Sequence, residues 1–420
     1  MNHEQYYQRI DFIKSLLQLN ALGAKSIDPI EYDMDFPFPC NNFIYHVTLE
    51  SPITRLMNIK SFQSDKAQPG TVPFPAHSTS LLVRLTNSDL RTGLNNNNRV
   101  ENEVAFMALV RQALAKTTYS HIIPNVYSWA GTTSGQAFTI QQYMPGTIPA
   151  KSFETLSLGD KSIVLGQMAD ILALLQQFEI PKTVQMFGGL KFDEHGNITS
   201  GQMSLFKGEP SATYKDFIRS IFKIKLQEAD ENPVIVGWEE NGLRAKLDKF
   251  IGHQLDATLK DYEQVRRVLI HGDFSKYPIP YVATTAEEFL GFSFGNISGG
   301  KLPGLFETGA NLRLRNAMLS GFTTPSLSAD TSESRWGVAK AWDKELVRAG
   351  AAKPATIPHF EDIADIYWLQ DKISPFELDS PVMRRRKTAE QLRSIRNETE
   401  EMIVKFLDRL STSSGGDFSN

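Results

Sequence analysis

The residues of this sequence that could do chemistry stand beside short apolar segments. The apolar run 268–270 leads directly into His271 and, two positions later, Asp273. Arg84 lies within another apolar run, and Glu103 lies in a helical pattern that follows it. A carboxylate can accept a proton from a hydroxyl, and an arginine can hold an anionic group.

The elements that must position these residues form a strand-rich first third and a mostly helical remainder. The patterns predict strands over 42–49, 81–85, 126–130 and 137–143, and one helix over 99–116. Pro145 and Gly146 then interrupt the pattern. Beyond them, helices are predicted over 159–178, 214–229, 244–259, 363–373 and 388–410, a turn over 193–197 between two short strands, and a strand over 268–270. The sequence thus predicts an α+β chain with lobes 1–145 and 146–410 and a disordered Ser/Gly-rich tail over 411–420.

The composition excludes several classes of protein. The 420 residues are 41% hydrophobic and 22% charged, which is ordinary for a folded globular chain and excludes a mostly disordered or fibrous one. The net charge of −4 makes a nucleic-acid partner a poor candidate. The single cysteine, Cys40, excludes an intramolecular disulfide and a cysteine-based zinc site. The sequence shows no secretory leader and no apolar stretch of about 18 residues, so we expect a cytoplasmic protein without a membrane span.

The order of these pieces resembles that of the aminoglycoside phosphotransferase family, whose fold is protein-kinase-like. The most specific stretch is Val268-Leu269-Ile270-His271-Gly272-Asp273-Phe274-Ser275, which is similar to that family's catalytic loop. Supporting segments are 41–45, 82–84, 100–104 and 140–146, and two more, 193–198 and 355–375, resemble fungal members. The resemblance covers residues 35–410 and implies a small antiparallel β lobe and a larger helical lobe.

The resemblance also implies roles for the polar residues. Asp273 would accept the proton of a substrate hydroxyl, and His271 would brace the loop through hydrogen bonds. Arg84, where the family usually has lysine, would hold nucleotide phosphates and pair with Glu103. An ordinary surface salt bridge is an equally good interpretation of that pair. The backbone donors and acceptors of 141–143 would form hydrogen bonds with an adenine base. The simpler interpretation is an ordinary strand at the edge of the sheet.

The sequence departs from the family at the positions that should bind magnesium. Five residues after Asp273 the family has asparagine, and this chain has Pro278. The next strand should bring two acids, and the matching positions are Gly291 and Ser293. None of these side chains offers the carboxylate oxygens that a hard divalent cation prefers, and no aspartate occurs between Asp273 and Asp330. The sequence therefore predicts no metal site and no magnesium-dependent ATP turnover.

Three functions remain open, and the sequence favours the first. The first function is that of a cofactor-free cyclase or isomerase of a secondary-metabolite pathway. Such an enzyme would hold an apolar small molecule in a reactive conformation for cyclisation, including a pericyclic reaction such as Diels–Alder. The second is an ATP- and magnesium-dependent small-molecule kinase, and the third is an inactive pseudokinase that only binds. The expected cleft residues are Arg84, Glu103, Gln141, Tyr143, Tyr277, Tyr281, Phe292, Ser293 and Phe294. We expect a small-molecule substrate as partner and neither nucleic acid nor membrane, and the oligomeric state stays open.

Overall fold

The computed structural model describes residues 5–30, 41–88, 95–144, 156–204, 208–262, 267–270, 296–299, 335–352 and 360–413. These residues form a strand-rich N-terminal part and a mostly helical C-terminal part, which confirms the expected α+β class. The expected hinge at Pro145 and Gly146 lies outside the described residues, so the domain boundary there stays a prediction. Within these ranges, no helix is long and apolar enough to cross a bilayer.

The N-terminal part is built on a five-stranded antiparallel sheet with strand order β1-β2-β3-β5-β4. The strands are β1 (Ala24–Pro29), β2 (Asn42–Leu49), β3 (Ser80–Thr86), β4 (Val126–Ala130) and β5 (Phe138–Gln141), and the helices of this part are α1 (Tyr6–Leu19) and α2 (Arg99–Leu114). The predicted strands and the predicted helix are confirmed, with β5 and α2 each ending two residues earlier than expected. The sequence pattern did not predict α1 and β1.

The two faces of this sheet differ in polarity because successive strand residues point to opposite sides. Tyr45, Val83 and Ile140 lie on the back face, where they are buried in one cluster with apolar side chains of α1. His46 and Arg84 lie on the opposite face, which we call the open face, and both are only partly buried. The back face therefore belongs to the core, and the open face is left for functional side chains.

The C-terminal part consists mainly of helices. Its elements are α3 (Leu158–Gln177), β6 (Gly189–Phe192), β7 (Ile198–Gly201), α4 (Tyr214–Glu231), α5 (Leu243–Lys249), α6 (Leu255–Thr258), β8 (Arg267–Ile270), β9 (Asn296–Gly299), α7 (Arg335–Ala349), α8 (Phe360–Ile373), α9 (Phe376–Asp379), α10 (Pro381–Arg385) and α11 (Ala389–Ser413). The helix expected over 244–259 is present as a continuous helical stretch, in which a π turn at Phe250–Gln254 lies between α5 and α6. The sequence pattern did not predict α7.

The expectation of a disordered tail from residue 411 is wrong for its first three residues. Helix α11 continues to Ser413, and Ser411 is 6% exposed. The Ser411 hydroxyl donates to the Leu407 carbonyl at 2.6 Å, so the helix end is held by its own side chain. Residues 414–420 lie outside the described ranges.

A middle hydrophobic cluster joins the two parts of the chain. It contains Val104 and Phe106 of α2, Ile171 of α3 and Trp342 of α7, each less than 2% exposed. Because α2 contributes to this cluster and also lies beside the sheet, it is fixed to both parts at once. A separate cluster in the C-terminal part packs α4, α8 and α11 around Trp238.

Candidate functional site

Arg84 and Glu103 form a buried ion pair. Strand β3 carries Arg84 on the open face, α2 carries Glu103, and Arg84 Nη1 donates to Glu103 Oε1. The two side chains are only 12% and 10% exposed. The predicted approach of the two residues is therefore confirmed, and the interpretation as a surface salt bridge is wrong. Both charges have lost much of their hydration, which in proteins is tolerated only when the partners stay together.

Helix α2 is anchored to the C-terminal part by the residue next to Glu103. Asn102 is 0% exposed, its Oδ1 accepts from Leu190 N at 2.6 Å, and its Nδ2 donates to Ser204 Oγ at 2.7 Å. These two hydrogen bonds fix the rotation of α2 about its axis. Glu103, one position further along, is thereby turned towards Arg84.

Replacing Asn102 with alanine is expected to lower the free energy of unfolding by about 1–3 kcal/mol, because the Leu190 N–H and the Ser204 hydroxyl would lose their buried partner. Urea denaturation measures the change. The matched control is Gln112→Ala on the exposed side of the same helix, which is expected to stay within about 0.5 kcal/mol of wild type. Equal unfolding midpoints for the two variants would contradict the anchoring role.

Four buried polar atoms on the open face have no hydrogen-bond partner among the described residues. They are Arg84 Nε, His46 Nε2, Thr139 Oγ1 and Gln141 Oε1. The register brings their residues together, since Thr139 lies opposite Arg84, while His46 and Gln141 lie on either side of Leu82. Buried polar atoms are nearly always hydrogen-bonded in folded proteins. Four such atoms on one face single it out as a candidate place for a polar ligand.

The segment 141–143 does not belong to an edge strand, whereas its expected contact with an adenine base stays a prediction. Strand β5 lies between β3 and β4, so it is not an edge strand. The Gln142 N–H donates to the Asn125 carbonyl at 2.8 Å, so that N–H is already used within the protein. The Tyr143 ring instead stacks on the His46 ring, with the centroids 3.9 Å apart and the planes at 24°. The sequence argument had not singled out His46.

The remaining predicted site residues lie outside the described ranges, and their roles stay predictions. They are His271, Asp273, Tyr277, Tyr281, Phe292, Ser293 and Phe294, and the same holds for Pro278 and Gly291. Strand β8, which leads to His271, is confirmed, and its Val268 and Leu269 are buried. Its antiparallel partner is β9, which begins directly after the 290–295 segment. Among the described residues, no group of three or more His, Cys, Asp or Glu side chains could hold a metal ion.

Residues 79–276 match the model of the phosphotransferase enzyme family, APH. This stretch is similar to that family. It begins one residue before β3 and therefore includes both Arg84 and Glu103. It also includes His271 and Asp273 and ends two residues before Pro278, where the sequence departs from the family. The family resemblance expected from the sequence is thereby confirmed.

The APH-like chain is also similar to solved aminoglycoside phosphotransferase structures. ADP-bound APH(2'')-Ib is 14% identical, with 97% of this chain and 99% of that chain covered and a TM-score of 0.48. The ternary complex of APH(2'')-IIa with streptomycin and ATP is 13% identical, with 96% and 98% covered and a TM-score of 0.45. APH(4)-Ia is 10% identical, with 97% and 100% covered and a TM-score of 0.47. No curated protein gives a significant match.

Proposed function

We propose that this chain binds a nucleoside triphosphate on the open face of its sheet and transfers a phosphoryl group to the hydroxyl of a small molecule. The observation that carries the proposal is the buried Arg84–Glu103 pair, in which Arg84 Nε has no partner among the described residues. The APH match over 79–276 supports the same reaction class.

Stability alone does not account for this pair. A buried ion pair adds little to stability compared with well-packed apolar residues of the same volume. Here it also lies beside the unsatisfied side-chain atoms of Thr139 and Gln141 on the same face. A ligand role explains why the chain keeps a charge and several polar atoms in a place where apolar side chains would be as stable.

In the proposed reaction, Arg84 acts as the phosphate-binding cation. Glu103 engages Nη1 and holds the planar guanidinium in one orientation, and Nε, which is buried and has no partner among the described residues, is proposed to donate to a phosphate oxygen of the ligand. A fixed positive group at that place would offset the negative charge on the phosphates as the transfer proceeds. Asp273 is proposed to accept the proton of the substrate hydroxyl, and His271 to brace its loop.

Magnesium fits this chain poorly, although the family resemblance implies it. The side chains at the expected ligand positions, Pro278, Gly291 and Ser293, provide no carboxylate. No step of the proposed reaction is therefore assigned to a metal.

The same departures favour a second candidate function. With Pro278, Gly291 and Ser293 at these positions, and Tyr281 and Phe292 nearby, this part of the chain would be apolar. Such a cleft suits an apolar small molecule whose cyclisation needs only a favourable conformation, which is the cofactor-free enzyme that the sequence favoured.

The release of ADP from ATP distinguishes the two candidates. The assay uses a panel of hydroxylated small molecules in a buffer that contains magnesium chloride. Phosphoryl transfer predicts acceptor-dependent ADP release that Asp273→Asn lowers by at least about 100-fold, in line with the loss of a general base. Saturable ATP binding without any ADP release would instead contradict the transfer step and favour the second candidate or a binding module.

A further inference from the structure

We propose that the Tyr143 ring occupies the place on His46 where the base of the bound nucleotide stacks, so that Tyr143 sets the preference between a nucleotide and a bare phosphate chain. The inference rests on the proposed function and adds two residues to it. It follows from the stacked pair, whose ring centroids are 3.9 Å apart, and from the unsatisfied polar atoms around it.

The position of His46 relative to Arg84 suits the two ends of one nucleotide. His46 lies opposite Leu82, which is two residues from Arg84 on β3, so both side chains are on the open face. The separation is about 7 Å along the strand and about 5 Å across to the next strand. A nucleotide with its phosphates at Arg84 can extend its base over that distance to the His46 ring.

The Tyr143 ring is held in a way that allows displacement. It follows β5 and contacts the face of the His46 imidazole, and no hydrogen bond between described residues involves its hydroxyl. Stacking therefore holds the ring without an anchoring polar contact. Planar bases stack on aromatic side chains through the same ring faces, so a base and the Tyr143 ring would compete for one surface.

A nucleobase offers this place something that the phenyl ring does not. His46 Nε2 and Gln141 Oε1 are buried and have no hydrogen-bond partner among the described residues. The carbon edge of the Tyr143 ring cannot donate to Gln141 Oε1, whereas the amino group of adenine can. Exchange of the Tyr143 ring for the base would thus retain the stacking and allow the amino group of the base to donate to Gln141 Oε1, whereas His46 Nε2, which points outward in the plane of the stacked imidazole, would not be paired by the base.

The test compares ATP with inorganic tripolyphosphate by isothermal titration of the full chain and its Tyr143→Ala and Tyr143→Phe variants. Removal of the ring is expected to tighten ATP binding by about 3–10-fold, because the base no longer competes with it. Tripolyphosphate has no base, so its affinity is expected to be the same for all three proteins. Tyr143→Phe keeps the ring and is expected to bind ATP like wild type.

The outcomes separate this inference from the proposed function. If wild type binds both ligands and Tyr143→Ala binds ATP equally or more weakly, with unchanged tripolyphosphate affinity, the competition is refuted while nucleotide binding stands. If wild type binds neither ligand, the proposed function fails and this inference fails with it. Circular dichroism confirms that the variants are folded, and His46→Ala, which is expected to lose the preference for ATP over tripolyphosphate, tests the stacking surface independently.

Discussion

Replacing Arg84 with methionine is expected to lower the free energy of unfolding by about 3–5 kcal/mol, because Glu103 would remain as a buried carboxylate without its partner. The same variant is expected to bind ATP at least about 10-fold more weakly, since a charged hydrogen-bond donor to the phosphates is lost. Methionine keeps an unbranched apolar side chain, so the packing of the arginine stem is largely preserved. Urea denaturation measures the first effect.

Two further variants show whether the loss arises from the unpaired charge. The double variant Arg84→Met with Glu103→Gln removes both charges and is expected to regain most of the lost stability. Arg55→Met, which changes an exposed arginine of the N-terminal part, is expected to stay within about 0.5 kcal/mol of wild type. If Arg84→Met alone is as stable as wild type, the pair is not buried as described.

Replacing Trp238 with alanine is expected to lower the free energy of unfolding by about 3–5 kcal/mol, since a large core side chain is removed. Trp238 is 0% exposed, its Nε1 donates to the Ile373 carbonyl at 2.8 Å, and the Arg396 guanidinium lies 5.3 Å from the ring centroid. Its cluster contains no residue of the five-stranded sheet. Urea denaturation again measures the change.

The neighbouring Val236 provides the control for Trp238. Val236 is 57% exposed and has a φ of 53°, a conformation that costs valine more than alanine, so Val236→Ala is expected not to lower the free energy of unfolding. Trp238→Phe keeps a ring but removes the N–H that donates to the Ile373 carbonyl, so its free energy of unfolding is expected to lie between those of wild type and Trp238→Ala. It is expected to bind tripolyphosphate like wild type. A Trp238→Ala protein as stable as the Val236→Ala protein would contradict the described packing.

Local periodicity was sufficient to predict the elements that carry the ion pair. The apolar run over 81–85 predicted β3, and the helical spacing after Arg99 predicted α2. Both patterns lie within a short stretch of chain, so the local side chains alone are sufficient to predict each element. The approach of Arg84 and Glu103 came from the family resemblance, which supplied the packing of α2 beside the sheet.

The ligand-facing residues could not be predicted in the same way, because strand register is not local. His46 and Gln141 lie on either side of Leu82 although the three residues belong to separate strands. Nothing in the short patterns around each residue specifies that pairing, which depends on the whole sheet. The lack of hydrogen-bond partners for His46 Nε2 and Gln141 Oε1 can likewise be recognised only once the sheet is assembled.

The unpredicted helix α1 has a different cause. Its buried side chains include Ile13, Leu16 and Leu17, which recur at helical spacing. The helix has no side-chain cap at Gln5 and no acidic residue in its first turn, so the usual start signals are missing. Its stability comes from burial against the back face of the sheet, which only the tertiary structure reveals.

The central claim is that Arg84, held by Glu103, binds the phosphates of a nucleotide. The most direct measurement is an isothermal titration of ATP into wild type and into the double variant Arg84→Met with Glu103→Gln, after denaturation curves have shown that the double variant is folded. We predict saturable binding to wild type and binding at least about 10-fold weaker, or none, to the double variant. Equal affinity of the two proteins for ATP, or no binding by wild type, would contradict the claim.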